Sequence, residues 1–124
     1  MREIFKQEWD TFFDVFSRQH MNWRVTLEVL GREIGARVEA ENVAFEGIAL
    51  DHADSSDETI FVMLGGATDR HITHAIHDPK RVMLDHSGLV QGHGEAIVIL
   101  SEAGPTTLVR FDSPVLPEQL DGLV

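Results

Sequence analysis

The sequence predicts an α+β protein, with one amphipathic helix lying on a strongly bent antiparallel sheet or a small barrel of seven to eight short strands. Two patterns predict this. Near the N-terminus, Phe5, Trp9, Phe12, Phe13 and Phe16 recur at the three-to-four spacing of a helix face. From Trp23 onward the period becomes two, in short segments separated by glycine, proline and acidic residues. A single helix followed by many short strands with short connections favours hairpin neighbours over parallel crossovers.

The helix is expected over about residues 5–20. Lys6, Gln7, Glu8, Asp10, Thr11 and Asp14 suit its wet face, and Arg18 suits the negative pole of the helix dipole. A stripe this wide calls for a sheet beneath it. In WRVTLEVL, residues 23–30, Trp23, Val25, Leu27 and Val29 alternate with Arg24, Thr26 and Glu28, which reads as a strand with one dry face. GREIG supplies a turn, ARVEAE a short second strand, and VAFEGIALD, 43–51, a third in which Gly47 marks a bulge. HADSSDE, 52–58, reads as a polar loop.

TIFVMLGG, 59–66, is apolar on both faces, as in a central strand. RVMLDH, AIVILS (96–101) and TTLVRF (106–111) complete the series, with SGLVQGHGE as a glycine-bearing loop. The tail, 112–124, contains two prolines and is expected to run irregularly. There is no internal repeat and no linker, so residues 1–124 read as one domain, large enough to bury a core without staples.

Composition excludes several kinds of chemistry. With no cysteine there is no disulfide, thiolate nucleophile or Cys-ligated zinc. MREIFKQEWD lacks the pattern of a secretory signal. The longest apolar runs, IFVML and AIVIL, are far short of the roughly twenty residues of a membrane span. A cytoplasmic protein is expected. The formal charge of −11 and ten scattered basic residues, of which only Lys80–Arg81 are adjacent, make nucleic acid and anionic membranes poor partners. The sequence has no G-x-S-x-G elbow, P-loop or G-x-G-x-x-G.

The most distinctive stretch is RHITHAIHD, 70–78, with histidines at 71, 74 and 77. Its secondary structure decides its chemistry. In a helix, His71 and His74 share a face and a two-histidine site becomes possible. In a strand, His71 and His77 share a face but lie roughly 20 Å apart while His74 points the other way. The β-branched Ile72, Thr73 and Ile76, the preceding Gly65–Gly66 and the stop at Asp78–Pro79 favour the strand. Ile72, His74 and Ile76 then face inward, and His71, Thr73 and His77 face water. A divalent transition-metal site is the alternative reading, drawing on Asp69, His71, His74, His77, His86 and His93.

Two further clusters stand out. Asp51, His52, Asp54, Asp57 and Glu58 crowd one short stretch, and closely spaced carboxylates suggest a hard cation, but the twelve-residue calcium-loop pattern is absent, so a solvated acidic loop is expected. His93 sits between two glycines, a placement compatible with acid–base work. No second group is tied to it by sequence, and no catalytic residue is assigned.

EWDTFFDVFSRQHMNW, LGGATDRHITHAIHDPKRV and TTLVRFDSPVLPE, in that order, resemble a small bacterial family of about this length classified as a domain of unknown function. The resemblance implies a bacterial source and carries no activity, ligand or catalytic residue.

The expected role is therefore a non-catalytic domain acting through protein association, with a homodimer as the simplest form and no cofactor. Trp9, Trp23 and the segment VLPEQLDGLV offer apolar surface for an interface. The rivals are a metal-binding protein or metal-dependent hydrolase, and a small-ligand pocket inside a barrel.

Overall fold

A computed structural model of the chain describes residues 1–33, 35–54, 57–66, 71–85, 95–102 and 104–112. Strand β1 (Arg2–Ile4) is followed by a 3-10 turn (Lys6–Glu8) and helix α1 (Trp9–Gln19). Seven strands follow: β2 (Arg24–Gly31), β3 (Gly35–Asp54), β4 (Asp57–Leu64), β5 (Ile72–His77), β6 (Pro79–Asp85), β7 (Glu95–Ser101) and β8 (Thr106–Asp112). They form one eight-stranded sheet in the order β1-β6-β7-β8-β2-β3-β4-β5, with every neighbouring pair antiparallel. The α+β class stands. The sheet is not closed, because among the described residues no ladder joins β5 back to β1; of the two expected shapes, the bent sheet is the one adopted.

Strand β3 makes the bend. Its N-terminal half pairs with β2 and its C-terminal half with β4, and the register slips near Leu27 and again between Phe45 and Gly47. The bulge expected at Gly47 is thus present. The two expected strands ARVEAE and VAFEGIALD are one twenty-residue strand that passes through Asn42, whose φ of 54° is a left-handed conformation that asparagine tolerates. The expected loop 52–58 is also corrected, since β3 runs to Asp54 and β4 starts at Asp57, leaving a tight hairpin.

Where β3 turns from β2 towards β4, helix α1 packs against it. Ser17 Oγ accepts the Ile48 backbone N–H at 2.9 Å and donates to the Ile48 carbonyl at 3.1 Å. One hydroxyl therefore serves both main-chain groups of a residue on the strand's unladdered side, a role a neighbouring strand would otherwise play.

The core lies between the helix and the inner sheet face. Trp9, Phe13 and Phe16 meet Val25, Leu27, Phe45, Ile60, Val62, Leu64, Ile97, Ile99 and Phe111, all 5% exposed or less. Phe111 stands edge-on to both Phe16 (5.0 Å) and Phe45 (4.8 Å), a favourable quadrupolar arrangement. Trp9 Nε1 donates to the Ile4 carbonyl at 2.8 Å and ties α1 to β1.

Near the N-terminus the structure corrects the expected helix start and the expected exposure of the two tryptophans. The helix begins at Trp9, not Phe5, and Phe5 is 55% exposed. Trp9 is fully buried and Trp23 half-buried, so neither is the open surface expected of it. The segment VLPEQLDGLV lies outside the described residues.

Candidate functional site

Residues 72–77 are a strand, as expected, and their neighbours explain where each imidazole points. On β5, Ile72, His74 and Ile76 lie opposite Leu64, Val62 and Ile60 of β4, all three fully buried, so this set faces inward. His74 is only half-buried because β5 is the last strand of the sheet. That burial lowers its pKa below the ordinary 6.5, against a smaller opposing pull from the Glu39 carboxylate. His71 and His77 are exposed on the other face. His71 donates its Nδ1–H to Glu46 Oε2 at 2.7 Å, and the same oxygen accepts the Gly66 amide at 3.1 Å. In one copy of the chain the three rings diverge.

Among the described residues, no group of three or more histidine, aspartate or glutamate side chains is placed to hold a metal ion. Asp69, His86 and His93 lie outside the described residues.

His52, in the acidic cluster, acts as a surface strut. Its Nε2–H donates to Asp10 Oδ2 at 2.8 Å, its Nδ1 is 3.6 Å from Glu58 Oε2, and Lys6 Nζ reaches Glu58 Oε1 at 2.5 Å. These contacts join the start of the helix to the β3–β4 hairpin. Exposed pairs of this kind contribute little energy singly.

The most enclosed polar pair is one that sequence reasoning did not single out. His20, 5% exposed, follows α1 and stacks on Phe16 at 3.8 Å, with Trp23 at 4.4 Å and Phe111 at 5.4 Å. Its Nδ1 lies 2.9 Å from the Phe16 carbonyl, and its Nε2 lies 2.5 Å from Glu95 Oε1 on β7. A carbonyl only accepts, so Nδ1 carries a hydrogen. Both ring nitrogens are committed to protein partners, which is the arrangement of a structural lock. The i, i+4 spacing of Phe12, Phe16 and His20 was a visible signal, but its partner lies 75 residues away in sequence.

Clefts open on the surface formed by the described residues. One of about 810 Å³ lies between the β2–β3 and β7–β8 turns, lined by Leu30, Arg32, Glu33, Glu102 and Pro105. A smaller one of about 310 Å³ follows the α1–β3 junction, lined by Asp10, Asp14, Ser17, Glu46 and Met63. Neither gathers convergent acid–base groups. The inner face that a barrel pocket would have used is filled by the core side chains.

The profile of a family of unknown function, DUF5335, matches residues 1–120. The chain belongs to this family. An uncharacterized protein of Aquifex aeolicus (strain VF5) is similar to this DUF5335 member: it is 28% identical over 116 residues, covering 94% of this chain and 95% of the relative. No solved structure gives a significant match. No helix among the described residues is long and apolar enough to cross a membrane.

Proposed function

We propose that this chain is a non-catalytic bacterial domain that works in the cytoplasm through protein association, with a second copy of itself as partner and neither nucleic acid nor membrane as target. The observation that carries the reading is the edge of the sheet left unpaired among the described residues. One edge, β1, is only three residues long. The other, β5, is a six-residue strand, ITHAIH, paired to β4 without a register slip and carrying no Lys, Arg, Asp or Glu. Long, flat, uncharged edges are templates for another strand, and proteins that avoid pairing place charges, prolines or bulges there. In a chain of net charge −11, a strand whose own residues carry no carboxylate is also where a like-charged copy approaches at lower cost. Ile72, 37% exposed, adds apolar area at that edge.

The chemistry of the described histidines supports the non-catalytic part: His20, His52 and His71 each hold a carboxylate in a separate place. Sedimentation velocity on the untagged chain tests the association. A dimer is expected over about a hundredfold range of concentration. Ala75→Lys, which puts a charge in the middle of the edge, is expected to give a monomer that unfolds as the parent does. A parent protein that sediments as a monomer throughout that range removes the reading.

A further inference from the structure

The histidine repeat has a symmetry that one chain cannot use. His71, His74 and His77 are spaced three and three, so the stretch reads the same distances in both directions from His74. Strand β5 is an edge, and two identical edges related by a two-fold axis pair antiparallel. In the register centred on His74, Ile72 falls opposite Ile76 of the second copy and Thr73 opposite Ala75. His71 falls opposite His77 of the second copy, and His77 opposite His71.

Resting on the association proposed above, we infer that paired β5 edges form two equivalent transition-metal sites per dimer, each made by His71 of one copy and His77 of the other. Directly opposed residues of antiparallel strands have Cβ atoms about 4.5–5.5 Å apart. That spacing lets two imidazoles meet at one ion with metal–nitrogen distances of about 2.0–2.1 Å. Both residues are exposed, His77 as the last residue of β5 and His71 immediately before its first, at positions an even number of residues apart. The orientation of His71 is already set: Glu46 holds its Nδ1–H at 2.7 Å, leaving Nε2 as the nitrogen with the lone pair. A carboxylate fixing the far nitrogen is the usual support of a metal-bound histidine. The Gly66 amide holds the same carboxylate oxygen in place. Water completes the shell of a borderline-soft ion such as zinc(II). The third pair sets His74 beside its own copy on the two-fold axis, on the inner side, where half-burial favours the uncharged ring.

Mixing variants tests this in the full-length, untagged chain, with zinc(II) alone as the probe, by equilibrium dialysis and sedimentation together. The parent is expected to bind about one zinc per chain as a dimer. His71→Ala and His77→Ala, each alone, break both sites and are expected to lose that zinc. An equal mixture of the two rebuilds one intact site in every mixed dimer, returning roughly a quarter to a half of the parent's zinc. Single variants that keep the parent's zinc, or a mixture that recovers none, overturn the metal site. If the protein is still dimeric in those cases, association stands and this inference alone falls. A chain that stays monomeric with zinc present overturns both.

Discussion

His20 is held on both nitrogens and packed among the rings of Phe16, Trp23 and Phe111, so its removal leaves a void and takes two hydrogen bonds at once. His20→Ala is expected to cost about 2–4 kcal/mol in urea unfolding, from lost packing together with the two lost hydrogen bonds. His74 answers differently, to pH. Its native pKa is depressed by burial, so as pH falls below 6.5 the unfolded chain takes up this proton before the native one does. The unfolded state then binds more protons, and acid weakens the fold through this residue. His74→Leu is therefore expected to lose less thermal stability than the parent between about pH 7 and about pH 5; an equal or larger loss contradicts the assignment. The direction of His74 was legible in the sequence, because alternate positions of a strand fix the face. The lock at His20 was legible only in its i, i+4 spacing from Phe16, because a partner 75 residues away on β7 leaves no local signal.

Elements were legible where their period ran long enough. The aromatic stripe located α1, and the alternation of Val25, Leu27 and Val29 located β2 together with its buried face. Strand β1 escaped because three residues carry no period. Phe5 extended the expected helix because it keeps the stripe's spacing although it precedes the helix in space. The unity of β3 was hidden at Asn42, a residue that normally ends a strand and here takes the left-handed conformation inside one. The helix–strand junction gives a prediction at this scale. Ser17→Ala leaves the partly buried Ile48 N–H and carbonyl without the hydroxyl that serves both. A loss of about 1–2 kcal/mol is expected, with faster hydrogen exchange at the Ile48 amide. Unchanged exchange there means the hydroxyl does not close that side of β3. At the β4–β5 turn, Gly66 has a φ of +61°, and an added Cβ would meet the Ala44 methyl at 3.1 Å. Gly66→Ala is expected to cost about 1–2 kcal/mol through the left-handed backbone and that contact.

At the scale of the whole molecule, the sheet curls around the aromatic core without closing among the described residues, and its two outermost strands differ. The short β1 edge is pinned to the helix through Trp9. The β5 edge is longer, regular and uncharged. Within one copy the histidines diverge along it; between two antiparallel copies they converge in pairs. The absence of cysteine from the chain makes this register directly measurable, since a single introduced thiol has only its own copy to react with. The deciding measurement is the rate of disulfide formation, under mild oxidation, in a scan of single cysteines along β5. Pairing centred on His74 predicts fastest cross-linking for His74→Cys, where the two Cβ atoms lie about 4.5–5.5 Å apart. It predicts slow cross-linking for Ile72→Cys and His77→Cys, whose copies are displaced along the strands by roughly 13 Å and 20 Å. A dimer in which Ile72→Cys or His77→Cys reacts faster than His74→Cys, or in which none reacts, contradicts edge pairing about His74.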